Sequence, residues 1–187
     1  MVKNKPNSTL AFALLGLIGQ EQRSGYDLRK FFSFTPMISF SDSPGAIYPA
    51  LHRLERRGLV RGHMAGGLGR RRPKIFELTA RGRAEFRRWL MQPVVRHDVV
   101  RSQDTLMLRF AFMDQFAGKS AALRFLKVFH QELGAYIPSL RKYLKSNRER
   151  MPQSGRLALE SGIQAYETQL RWAKNAMGAY RQAKGER

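Results

Sequence analysis

Apolar stripes of helical period, separated by short polar breaks, run along most of this chain. Leu10 to Gly19 is apolar on nearly every side, with Thr9 placed to cap it. It predicts a helix that must be covered all round, by its own domain alone or with a partner. Ser24 or Arg23 opens a second helix whose apolar positions are Tyr26, Leu28, Phe31 and Phe32. Residues 33–42 have no period and contain Pro36, so they predict a loop. Ser43 then offers an N-cap, and Pro44 suits the first helical position. Ile47, Leu51 and Leu54 fall at i, i+4 and i+7 as an inward stripe, which leaves Tyr48, His52, Arg53 and Arg56 on the other face. Gly58 stops this third helix.

The period then changes. Leu59 to Ala65 reads as a strand, and Lys74 to Leu78 alternates apolar and polar as a second one. Between them lie Gly66-Gly67-Leu68-Gly69 and Arg70-Arg71-Arg72-Pro73, a glycine-rich hairpin tip loaded with cations. Thr79 caps a helix over 80–90 with Phe86, Trp89 and Leu90 inward, and Pro93 ends it. Three helices, a hairpin and a helix predict a mostly α fold with a small two-stranded β-hairpin, a winged helix-turn-helix over residues 1–93. Beyond it, 94–103 reads as a connector and 105–115 as a helix. A long helix is expected over 119–150, kinked or interrupted at Pro138, and a last one over 157–184. This second domain, residues 94–187, predicts either a dimerisation module or a helical hairpin closed within one chain. Met107, Phe110 and Phe112, at helical spacing, read as plain core.

Charge changes the picture more than size does. The 187 residues carry 34 Lys+Arg against 14 Asp+Glu, a net charge of +20 that attracts polyanions, nucleic acid above all. The surplus is shared almost equally by the two halves, so charge alone does not divide their labour. The absence of cysteine excludes disulfides, thiolate metal sites and thiol nucleophiles. The longest apolar run, residues 10–19, falls well short of the ~20 residues a membrane span needs, and no cleavage site follows it. The expectation is a cytoplasmic protein without a membrane partner.

The candidate chemistry is recognition rather than catalysis. His52, His63, His97 and His130 lack metal-ligand spacing, the glycine run is followed by a basic strand rather than a helix, and no nucleophile elbow frames any serine. No enzyme, metal or cofactor is expected. On the third helix, Ser43, Gly45, Ala46, Tyr48, Pro49, His52 and Arg53 form the candidate DNA-binding set. Gly45 allows close backbone approach to a phosphate, Tyr48 contacts phosphate or base, and His52 and Arg53 face base edges. Pro49 requires either that the regular helix begin near Tyr48 or that an early turn accommodate it. Arg70, Arg71, Arg72 and Lys74 add phosphate contacts from the wing.

These same segments resemble a known family. Leu14-Leu15-Gly16-Leu17-Ile18, Ser24-Gly25-Tyr26-Asp27-Leu28, the run from Ser43 to Val60, and Arg72 to Gly82 look like four successive motifs of PadR-type transcriptional regulators. The resemblance covers about residues 10–90, with a looser match through Asp104 to Phe110. It implies a homodimeric repressor on a double-stranded DNA operator, released by a small-molecule effector or a stress signal. Two other readings compete with it: a non-specific nucleic-acid-binding protein driven by the +20 charge, and a winged-helix protein-interaction scaffold.

Overall fold

The structure, a computed structural model, describes residues 8–35, 43–66 and 73–182. It divides into two compact units, Met1–Met91 and Gln92–Arg187. In the first, α1 (Thr9–Gln20) is capped by Ser8 rather than Thr9, because the Ser8 hydroxyl accepts the N–H of Ala11 at 3.3 Å. Seven of its residues, Ala11 and those from Ala13 to Ile18, are buried. They lie under α3 (Pro44–Arg56), α4 (Ala80–Leu90) and β3 (Lys74–Leu78), which pack against α1. Phe12 stacks on Trp89 with ring centroids 4.4 Å apart.

The sheet is larger than expected. Arg23–Ser24 forms β1 and pairs antiparallel with β3, while β2 (Val60–Met64) flanks β3 on the other side, giving the order β1-β3-β2. The predicted two-stranded hairpin is thus a three-stranded sheet. Ser24 serves twice, since it pairs with Ile75 and also caps α2 (Gly25–Ser33). Its hydroxyl accepts the N–H of Asp27 at 3.1 Å, and the Asp27 carboxylate accepts the Ser24 N–H in return, a capping box. The Ser24 hydroxyl also donates to the Asp27 carboxylate at 2.6 Å, and this bond is the main cause holding that carboxyl below its ordinary range.

The third helix runs unbroken from Pro44 through Pro49, so the regular helix does not wait for Tyr48. A proline ring crowds the carbonyl four residues earlier, and that residue is Gly45, whose backbone tilts freely. The same spacing recurs at Gly134 and Pro138. Gly58, at φ +66°, turns the chain from α3 into the wing.

The second unit opens with α5 (Arg96–Arg101), which lies where a connector was expected. The helix expected over 105–115 is two helices, α6 (Gln103–Ala111) and α7 (Met113–Ala117). Phe112, at the break, and Met113 and Phe116 just beyond it are all buried. Gly118 at φ +85° leads into α8 (Lys119–Asn147), which passes through Pro138 without the interruption that was one of the two expectations there. The last helix, α9 (Gln153–Gln182), starts four residues earlier than predicted, directly after Pro152. Phe110, Phe125, Phe129, Trp172 and Tyr180 meet in an aromatic cluster between α6, α8 and α9. Arg109 is buried beside it, donating to the Gln92 carbonyl, with its guanidinium 5.5 Å from the Phe125 ring.

Candidate nucleic-acid interface

The helix that faces outward does so because its other side is tied into the core. Ile47, Ala50, Leu51 and Leu54 are at most 1% exposed. The side chains between them, Tyr48, Pro49, His52, Arg53 and Arg56, therefore lie outside. Ser43 begins the helix as expected: its hydroxyl accepts the Gly45 N–H at 3.2 Å and its carbonyl accepts from Ala46 and Ile47 at 3.0 Å each. Gly45 is exposed, and among the described residues a Cβ there would meet only the Ser43 hydroxyl, at 3.4 Å. Packing among the described residues does not require a glycine at this position. The bare backbone is free for close approach from outside.

Tyr48 is 42% exposed, yet its ring is not loose. It packs against Gly25, the first residue of α2, where a Cβ would fall 2.5 Å from the ring's Cε1. The absence of a side chain at Gly25 therefore seats Tyr48 and joins the start of α2 to the outer face of α3. Two further residues of α2, Tyr26 and Arg29, are exposed and fall outside the sequence-based reading of the interface. Tyr26 was assigned to the core, but it is 59% exposed, and the Arg29 guanidinium sits 5.7 Å from its ring. The signal was available: Leu28 and Phe32, at i and i+4, already define the buried stripe of α2, and Tyr26 falls off it.

The cations of α3 sort into two kinds. Arg53 and Arg56 are exposed and in no ion pair among the described residues. Arg57 instead turns back to the Glu85 carboxylate of α4 at 3.2 Å, and so braces the fold. On the wing, Arg70, Arg71 and Arg72 lie outside the described residues. Lys74 is described, and its ammonium donates to Glu55 at 2.7 Å. Among the described residues no group of three or more His, Asp or Glu could hold a metal ion. None of the described helices is long and apolar enough to cross a membrane.

The model of the transcriptional regulator PadR-like family matches residues 14–88, from within α1 to near the end of α4. Residues 14–88 form a PadR-like domain. The match leaves the second unit outside it. A relative, the negative transcriptional regulator PadR of Bacillus subtilis strain 168, is 27% identical over 115 residues, 60% of this chain and 61% of that protein. Among solved structures, the PadR-like transcriptional regulator BC1756 from Bacillus cereus is 26% identical, over 96% of this chain and 99% of that one, with a TM-score of 0.42. Bacillus subtilis PadR in complex with operator DNA is 21% identical, over 92% and 99%, with a TM-score of 0.43.

Proposed function

We propose that this PadR-like chain is a homodimeric, sequence-specific DNA-binding regulator, acting as a repressor. The observation that carries the reading is the outer face of α3, where Tyr48, His52, Arg53 and Arg56 stand exposed on a helix whose opposite stripe is sealed in the core. Such a helix fits a major groove, where Arg53 and His52 reach base edges. Ser43, Gly45, Ala46 and Pro49 lie against the backbone at its N-terminal end, and Arg70, Arg71 and Arg72 follow a neighbouring phosphate run. The family is one of transcriptional regulators, and the Bacillus subtilis relative is a negative one. The resemblance extends the reading to a small-molecule or stress signal that releases the DNA.

Retention of fragments from the source genome on immobilised protein tests this reading against simple coating by charge. A few discrete sequences should survive washing with excess unrelated duplex. Uniform recovery, or none, would reject specific recognition. The seating of Tyr48 adds a variant test. Gly25→Ala pushes the ring off its platform, and should weaken binding to a retained fragment about tenfold. Far-ultraviolet circular dichroism should show the helices intact.

The dimer reading rests on the far end of the α8–α9 hairpin. Ile137 is the last buried residue of α8, beyond which Leu140 and Leu144 are only half-covered and Tyr143 is 57% exposed. Across the turn Leu157 is 50% exposed. A second copy would cover these side chains. Light scattering of the full chain is expected to give twice the 21.5 kDa chain mass, and a monomer at micromolar concentration would contradict the assignment.

A further inference from the structure

Glu55, Gly62 and Lys74 come from three different elements and meet at one point between the reading helix and the wing. Glu55 sits in the last turn of α3 and leans toward the sheet. One carboxylate oxygen accepts the backbone N–H of Gly62, in β2, at 3.2 Å, and the other accepts from the Lys74 ammonium, in β3, at 2.7 Å. Lys74 reaches it by crossing over Gly62: a Cβ on Gly62 would collide with the Lys74 Cε and lie 2.7 Å from the Glu55 oxygen. Below the crossing, the ammonium lies 5.5 Å from the ring of Phe76, the residue paired with Gly62 across the strands. The glycine, the carboxylate and the lysine are thus fitted to one another.

A lysine aimed at a phosphate is best left free in solvent; here the positive charge is already matched by a carboxylate. We infer that Lys74 is a positioning residue rather than a phosphate contact, and that the Glu55–Gly62–Lys74 junction is a strut fixing the wing to the reading helix. Its effect on DNA rests on the duplex-binding reading above, whereas the strut itself does not. The wing's arginines and the outer face of α3 must meet the same duplex together. A strut that sets the angle between them acts on affinity without touching DNA.

Two measurements on the full chain keep these levels apart. Without DNA, thermal unfolding of Glu55→Gln, Lys74→Met and the double variant is followed through Trp89 fluorescence in a Trp172→Phe background. The double variant should melt no lower than the worse single one, and fully additive losses would overturn the strut. With DNA, the probe is a duplex of about 30 base pairs that the wild-type protein selects from a random library. Lys74→Met should bind it roughly three- to tenfold more weakly, with an unchanged slope of log affinity against log salt. Glu55→Gln, which frees the ammonium, should steepen that slope. A slope shallower by about 0.9 in Lys74→Met marks a lost phosphate contact and overturns the inference, as does unchanged affinity. Should the wild type select no duplex, the DNA-binding reading fails, and the unfolding comparison alone decides for or against the strut.

Discussion

Gly82→Ala is expected to destabilise the N-terminal unit by about 3 kcal/mol, at the upper end of what overpacking costs. Helix propensity argues the other way, since alanine gains about 1 kcal/mol over glycine inside a helix. The contact decides between them. Gly82 is buried in the first turn of α4, where its N–H donates to the Thr79 hydroxyl at 2.9 Å. A Cβ there would run into the backbone carbonyl of Leu59, and would lie 2.8 Å from the Leu59 carbonyl carbon and from Leu78 Cδ1. That carbonyl cannot step aside. It accepts from the Thr79 N–H at 3.2 Å and the Thr79 hydroxyl at 3.0 Å, the bonds that hold the start of α4 on the chain leaving α3. The chain has two tryptophans. Urea unfolding followed through Trp89, with Trp172 replaced by phenylalanine, therefore reports this unit. A midpoint equal to or above that of the glycine protein would show that the approach is looser than described.

The second large effect separates Arg53 from Arg56. Both are exposed arginines of the same helix, three residues apart, and composition does not distinguish them. Arg53 stands one turn beyond Tyr48 and Pro49, on the half of α3 assigned to the groove. Arg53→Ala should cost about 1–3 kcal/mol, roughly 5- to 150-fold, on the preferred duplex, and should relax the choice of base at one position. Arg56 is the last residue of α3, three residues farther from the N-terminal end assigned to the groove, and is assigned to a phosphate. Arg56→Ala should weaken all duplexes alike and lower the salt slope by about 0.9. Titrations at several salt concentrations, on the preferred duplex and on single-base variants of it, check both. Equal and sequence-independent losses from the two variants would remove Arg53 from base recognition.

Much of the N-terminal unit was legible because its boundaries are written in side chains with local roles. Ser43, Thr79 and Gly58 end or begin elements through bonds or dihedrals within a few residues of themselves, so periodicity and capping locate α3 and α4 closely. β1 was not legible. Two residues carry no alternation, and Arg23–Ser24 is a strand only because Ile75 and Phe76 lie beside it. α5, with the polar sequence Arg-His-Asp-Val-Val-Arg, buries a single residue, Val99, too little for a stripe. The break between α6 and α7 is marked by neither proline nor glycine, so nothing in the sequence around Phe112 signals it. Pro138 does not interrupt α8, and Gly134, four residues before it, eases the clash that usually breaks a helix.

The site divides in the same way. The outward set on α3 could be read from the chain, because burial of Ile47, Leu51 and Leu54 leaves those positions nowhere else to point. The role of Gly25 could not be read so, since it depends on the Tyr48 ring crossing from another helix. Lys74 shows the limit of reading charge from sequence. It stands beside three arginines in a basic run, and only the fold brings Glu55 of a distant helix within 2.7 Å of it.

The central claim is that the outer face of α3 distinguishes one duplex sequence from another. Its most direct test is the affinity of the full chain for its selected duplex relative to a scrambled duplex of equal length and composition, measured at physiological salt. The ratio should be at least about 1,000. A ratio near one would mean that the charge of +20, and not the geometry of the reading helix, accounts for the binding.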